Sequence, residues 1–302
     1  MKKNFLTTAI LSAVISSTAN AATVYENDDT TLNVGGRAEV RGLFSDSVDG
    51  SMEDQSRARI NISGETQISE SLTGFGFMEY EASKSSSVFD YDFRYLYAGF
   101  GTQIGDFSYG RQDTANVMIS DMTDIASYHS GIQQIIDGAS DKQSNTFLYS
   151  ETFINALTVQ LNYIAQDEKD NDAFAVSAAY KFTAGLELGA SYSDQDEANQ
   201  VTFGAGYTWN RLYVGTTYAM GDLTDNVNFT SLEFAAEYQF TNEFRLIGMI
   251  GMQEVDKVDT VDAYALEAQY RFNESIRTFA SYKLDNLDDG ENELVIGLRY
   301  DF

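Results

Sequence analysis

The sequence predicts an all-β protein, a sixteen-stranded antiparallel transmembrane β-barrel whose third loop folds inward. Three observations carry that reading. The first is a repeated Tyr-x-aromatic mark at the end of strand-like runs: Tyr180-Lys181-Phe182, Tyr207-Thr208-Trp209, Tyr238-Gln239-Phe240, Tyr270-Arg271-Phe272 and, at the terminus, Tyr300-Asp301-Phe302. Their spacing of about 30 residues fits one strand out, a loop, one strand back and a tight turn, which bands aromatics at one water–lipid boundary. The second is alternation of period two. Leu294, Ile296, Leu298, Tyr300 and Phe302 share one face, with Glu293, Arg299 and Asp301 on the other; Tyr264 to Phe272, Ile276 to Leu284 and Leu232 to Phe240 repeat the pattern. Period two makes these strands and not amphipathic helices. A Lys or Arg facing lipid at mid-membrane costs about 2–4 kcal/mol, so the charged face must line a wet lumen. The third observation is a break in this rhythm between Arg111 and Gln143.

The first element is an export signal. Lys2 and Lys3 precede an apolar run from Phe5 to Ile15 and a small-x-small site ending Ala19-Asn20-Ala21, so residues 1–21 are expected to be removed and 22–302 to form the barrel. No other stretch is long and apolar enough for a membrane-spanning helix. Strands are expected near 32–44, 55–68, 72–83, 91–101, 105–111, 144–151, 157–167, 173–182, 185–194, 200–209, 211–221, 229–240, 244–254, 261–272, 275–285 and 292–302. Short turns at the aromatic end, such as Asn210 and Asn273-Glu274, are assigned to the periplasm. Longer acidic connections, such as Asp222 to Asn228 and Asp285 to Asn292, are assigned to the outside. A barrel of this strand number is too wide for side chains to fill and leaves an aqueous channel.

Composition narrows the function. The chain has no proline, as a closed ladder that uses every backbone N–H favours, and no cysteine, which excludes disulfides and thiol chemistry. A formal net charge of -27 disfavours nucleic acid as a partner and favours attraction of cations. A barrel hydrolase would need a positioned base, and the only histidine, His129, lies in the irregular segment without a recognisable nucleophile. No catalytic residue, metal or cofactor is therefore expected.

The irregular segment carries Asp113, Asp121, Asp124, Asp137 and Asp141 with apolar pieces Val117-Met118-Ile119 and Ile135-Ile136. A long unstructured stretch in a compact domain is usually functional, and these apolar residues would be buried by folding against the inner wall. On the strands before it, Arg37 and Arg41, Arg57 and Arg59, and Arg94 fall on lumen faces, with Ala38, Val40, Ala58, Ile60, Tyr95 and Tyr97 expected toward lipid. With Arg111 they form the candidate basic side of a constriction, opposite Asp113, Asp121 and Asp124 on the loop. Charge of opposite sign across a pore orders water and tunes ion selectivity. Each arginine also has lumenal acids to pair with, Glu39 and Glu65 among them. His129 is read as a packing or hydrogen-bonding residue of the loop.

Ser56-Arg57-Ala58-Arg59, Gly64-Glu65-Thr66-Gln67-Ile68, Leu72-Thr73-Gly74 and Tyr109-Gly110-Arg111 resemble segments of the general trimeric porins of Gram-negative bacteria. Val34-Gly35-Gly36-Arg37-Ala38-Glu39, Thr123-Asp124-Ile125, Ser127-Tyr128-His129 and Ile296 to Phe302 are similar to the OmpU-type porins of vibrios and their relatives. The Pro-Glu-Phe-Gly-Gly-Asp loop tip of enteric porins is absent. The resemblance implies a homotrimer in the outer membrane, in contact with lipid and lipopolysaccharide, that passes ions and small hydrophilic solutes. It matches Arg37, Arg59 and Arg94 to basic constriction positions, and Asp121 and Asp124 to loop acids. The expected function is a non-specific, cation-preferring diffusion channel. The alternatives are a sugar-selective channel, or a barrel with a mainly adhesive or structural surface role.

Overall fold

Each apolar–polar alternation becomes a strand hydrogen-bonded to its neighbours in the wall, so the backbone groups of the described strands are paired with one another, as a lipid surrounding requires. The structure is a computed structural model that describes residues 21–85, 88–166 and 171–302; most of the expected signal segment lies outside the described residues. The first strands among the described residues are β1 (Ala22–Glu26) and β2 (Thr30–Ser45). Then come β3 (Glu53–Asp54), β4 (Arg57–Ser69), β5 (Leu72–Ser85), β6 (Val88–Thr102) and β7 (Gly105–Gln112). After the irregular segment follow β8 (Gln143–Phe153), β9 (Leu157–Ile164), β10 (Ala173–Lys181), β11 (Leu186–Gln195), β12 (Ala198–Trp209) and β13 (Leu212–Thr224). The last five are β14 (Val227–Gln239), β15 (Phe244–Val255), β16 (Val258–Arg271), β17 (Ile276–Asp285) and β18 (Glu293–Asp301).

The wall closes where β18 pairs with β2, from Glu293 opposite Ser45 to Asp301 opposite Arg37. Phe302 exchanges two backbone bonds with Gly36 (2.9 and 3.0 Å), and β1 continues the same line with Ala22 opposite Val34. Thus β1 and β18 lie end to end as one wall strand. β3 and β4 share a second wall position along β2, with Asp54 opposite Gly42 and Arg57 opposite Glu39. The eighteen segments of the sheet therefore make a closed wall of sixteen strands.

The two faces separate as membrane physics requires. Val40, Ile60, Leu266 and Ile296 are exposed on the outside, whereas Glu39, Glu79, Glu233 and Glu267 are buried inside. The five terminal aromatics Phe182, Trp209, Phe240, Phe272 and Phe302 are all exposed, four of them stacked on or edge-on to their own tyrosines.

The structure corrects two expectations. The segment Asp222 to Asn228 is not a long loop. Asp222 pairs with Asn228 and Thr224 with Val227, so the strands run past the membrane edge to a two-residue turn. The β11–β12 and β15–β16 connections are equally tight, with positive φ at Asp196, Asp256 and Lys257, as short hairpins demand. Tyr95 and Tyr97 do not face lipid. The register slips between Glu79 opposite Tyr95 and Tyr80 opposite Phe93, which leaves Arg94 as the extra residue of a β-bulge. Beyond it the parity inverts: Phe93 and Leu96 are exposed outward, while Tyr95 and Tyr97 turn inward against Phe77.

Candidate functional site

Residues 113–142 leave the wall after β7 and run along the inside of the barrel. They carry one short helix, α1 (Val117–Ser120), and a 3-10 turn at Asp137–Ala139. The wall makes room for α1 by lacking side chains. A Cβ on Gly204 would come within 2.7 Å of Met122 Sδ, and one on Gly215 within 2.0 Å of the Met122 carbonyl oxygen. Ile119 and Met122 are buried there with Ala179. Further along, Ile136 and Ala139 pack on Ala219 and Phe229, and Ile125 and Ala126 pack on Ala235, Ile247 and Met249. Burying each large side chain stabilises the loop by about 1.5–3 kcal/mol. Apolar packing inside the barrel therefore lies largely between loop and wall.

Polar groups fix the loop's position. Glu233 of β14 accepts Thr123 Oγ1 at 2.7 Å and the Gly131 N–H at 2.9 Å. Glu267 of β16 accepts the Ser127 N–H through both oxygens, at 2.9 and 3.1 Å. Tyr213 donates to the Met122 carbonyl at 2.7 Å, and Asn162 accepts the Ala115 N–H at 2.7 Å. His129 lies at the far end, 2.8 Å from Ser281 Oγ and 3.2 Å from Glu293. Burial holds its imidazole below the usual histidine range, with the Glu293 hydrogen bond opposing. Beside it Tyr128 reaches Gln55 at 2.5 Å.

These anchors place the loop along β9 to β18 and leave the β2–β6 arc as the opposite side of the opening. On that arc Arg57 and Arg41 bind Glu39 at 2.7 and 3.2 Å. Arg94 binds Glu79 at 2.9 Å, and Arg59 bonds Glu81 and approaches Glu79 at 3.5 Å. Arg41 also lies over the Tyr128 ring, 5.1 Å from its centroid. Arg37, directly opposite Arg59 across the strands, has no ion pair with a described carboxylate, and its Nε is buried without a partner.

The loop's acids fare differently. Asp113, at the root, accepts Tyr95 Oη at 3.1 Å and the Lys142 N–H at 3.0 Å, and burial pushes its carboxyl up. Asp124 accepts Ser130 Oγ. Asp121, at the end of α1, offers its carboxylate to the lumen with no partner among the described residues. Loss of bulk water in the narrow passage, then Asp113 and Asp124, pushes it up to about 8. Lys142, paired with Asp141, is pushed down to about 8 by burial and by Arg94, against the attraction of Asp113.

A closed wall, a loop packed inside it and charges facing across the remaining gap define a channel constriction. The family model for Gram-negative porins matches residues 7–290. The chain belongs to the Gram-negative porin family. The porin-like protein L of Photobacterium profundum and the outer membrane protein U of Vibrio parahaemolyticus are each 33% identical to it over the full length of both chains. Among solved structures, Salmonella typhi OmpF in complex with daunomycin superposes with a TM-score of 0.83 at 23% identity, over 93% of this chain and 100% of that one. The trimer form of Vibrio cholerae OmpT gives 0.73 at 18% identity, over 91% and 100%. This porin is a channel of the cell outer membrane and not an enzyme.

In this porin the structure brings Arg37, Arg41, Arg57, Arg59 and Arg94 together on one arc, with Asp121 and Asp124 on the loop. Arg111 stands apart. It pairs across from outward-facing Leu96 and bonds Asp92 at 3.3 Å and Ser144 at 3.1 Å. Sequence reasoning gave no role to Glu233, Glu267 or Lys142. The two glutamates were legible as lumen-face positions, yet nothing in one strand reveals which lumenal acid meets a loop N–H. Tyr95 and Tyr97 were hidden by the bulge.

Proposed function

We propose that this porin is a non-specific diffusion channel for small hydrophilic solutes that prefers cations and works as a homotrimer. The observation that carries the preference is that the basic side of the opening is largely neutralised by its own glutamates. Four of the five arc arginines are ion-paired to Glu39, Glu79 or Glu81; Arg37 alone has no ion pair with a described carboxylate, and it faces two exposed loop carboxyls, Asp121 and Asp124. The net charge of -27 supports the same sign. The trimeric OmpT neighbour supports self-association. On this reading Arg37, Arg41, Arg57, Arg59 and Arg94 form the basic side, Asp121 and Asp124 the acidic side, and Asp113 and His129 hold the two ends of the loop. Residues 1–21 act as the export signal.

Reversal potentials in a KCl gradient test the preference. Wild type is expected to favour K+, and at pH 9, where Asp121 is ionised, the ratio should fall in Asp121→Asn and less in Asp124→Asn; an anion-preferring wild type overturns the reading. The inward Tyr95, Tyr97 and Phe77 give a specific reason to test sugars as well. They form one patch and not a track along the solute path, so sugar block of conductance is expected to be non-saturating.

A further inference from the structure

The periplasmic mouth carries a feature that the constriction does not use. Arg271 of β16 lies directly opposite Arg277 of β17, which lies directly opposite Arg299 of β18. All three project into the lumen, on the same face as the buried Gln269 and Phe279. Like charges directly opposite each other across strands are destabilising, so three in a row call for a compensating group. The protein supplies only part of it. Asp301 binds Arg299 at 2.6 Å and reaches Arg277 at only 3.5 Å. Arg245, on the other flank, is occupied by Glu237 at 2.7 Å and by Gln269 Oε1 at 2.6 and 2.8 Å. Glu243 accepts Thr241 Oγ1 at 2.8 Å. Arg271 is exposed at the rim, where Glu274 of the adjoining turn is already engaged. Between these groups is a cavity of about 220 Å³ lined by Glu237, Glu243, Arg245, Gln269, Arg271 and Arg277.

From this geometry we infer that the cavity at the periplasmic ends of β15–β17 binds a small multivalent oxyanion of the phosphate class, held between Arg271 and Arg277. Guanidinium forks match phosphate oxygens two at a time, and facing forks on adjacent strands can grip one anion from both sides. The nearby carboxylates limit the local surplus of positive charge, which suits a weak, exchangeable site and not a permanent ligand. Its effect is polarity within the channel: anions meet a foothold at the inner mouth, while the outer route is framed by the loop acids. The inference does not depend on the ion preference proposed above, because its readout is binding.

Pyrophosphate serves as the probe. Calorimetric titration into the detergent-solubilised full-length protein is expected to show saturable binding. Arg271→Gln is expected to weaken it about fivefold, the effect of one charge–charge contact of about 1 kcal/mol in a water-like dielectric. Lys257→Gln, in an external turn, is expected to leave it unchanged. In planar bilayers, pyrophosphate should reduce conductance from the periplasmic chamber more than from the other. Orientation can be read by modifying a Lys257→Cys variant from one side, since the chain has no cysteine of its own. Equal binding by wild type and Arg271→Gln, no binding to either, or equal block from both chambers overturns the inference. Arg277→Lys, which keeps charge but loses the fork, separates folding from recognition: it should remain a heat-stable barrel and still bind more weakly.

Discussion

Replacing Glu233 by alanine tests how the loop is held. The residue is only 2% exposed, and its carboxylate accepts Thr123 Oγ1 at 2.7 Å and the Gly131 N–H at 2.9 Å. Hydrogen bonds to a charged group contribute about 1.5–3 kcal/mol each, and Gly131 would lose its acceptor in a part-buried place. Partial rehydration and the retained Thr123–Thr217 bond of 2.9 Å reduce the sum, leaving about 3 kcal/mol. That loss falls on the loop and not the wall, because the strand ladders do not use this side chain. Amide exchange over residues 123–131 should accelerate about 100-fold while exchange in β14 stays unchanged. Single-channel records should gain open-state noise and close at lower voltage, and Glu233→Gln should fall between. The thermal stability of the barrel should hold. Unchanged exchange and noise in Glu233→Ala would refute the assignment of this glutamate as an anchor.

Four further outcomes follow from the same geometry. With Asp121 pushed up to about 8, that carboxyl is mostly neutral at pH 7 and ionised at pH 9, and Lys142, pushed down to about 8, loses its charge over the same range. Both changes make the opening more negative, so the cation-to-anion permeability ratio should rise from pH 7 to 9; Asp121→Asn should flatten the rise, and Asp121→Asn with Lys142→Met should abolish it. Gly215→Ala places a Cβ 2.0 Å from the Met122 carbonyl oxygen, so the loop must move off the wall into the passage and conductance should fall. Arg94→Gln leaves Glu79 and Glu81 to Arg59 alone and should raise cation preference by reversal potential. Arg111→Gln, outside this group, should leave selectivity unchanged.

The wall was legible because its rule is local. Period two, inward charge and banded aromatics act residue by residue, so all sixteen runs fall within a few residues of the strands observed. Failures came where the rule depends on the partner strand. The bulge at Arg94 is visible only as a register slip against Glu79 and Tyr80, and it alone decides that Tyr95 and Tyr97 turn inward. Strand ends past the membrane, as at Thr224 and Val227, are set by pairing and not by hydropathy. The loop's apolar residues announced burial, but the glycine floor beneath them comes from Gly204 and Gly215 on two strands distant in sequence and has no signature in either.

Charge counting over the whole chain is a poor guide to what an ion meets. Most lumenal groups near the opening are already spent on each other: Glu39 on Arg41 and Arg57, Glu79 and Glu81 on Arg59 and Arg94, Glu233 and Glu267 on loop N–H groups. Neutralising one member of such a pair exposes its partner and so changes the field by the partner's charge. Asp121 and Arg37 are different, since each faces the passage without an ion pair among the described residues. At pH 9, where Asp121 is ionised, Asp121→Asn and Arg37→Gln should therefore shift the reversal potential in opposite directions, and the double variant should return close to wild type if the two act independently. A shift of the same sign in both single variants would mean that one of them acts by displacing the loop and not by its own charge, and would refute the assignment.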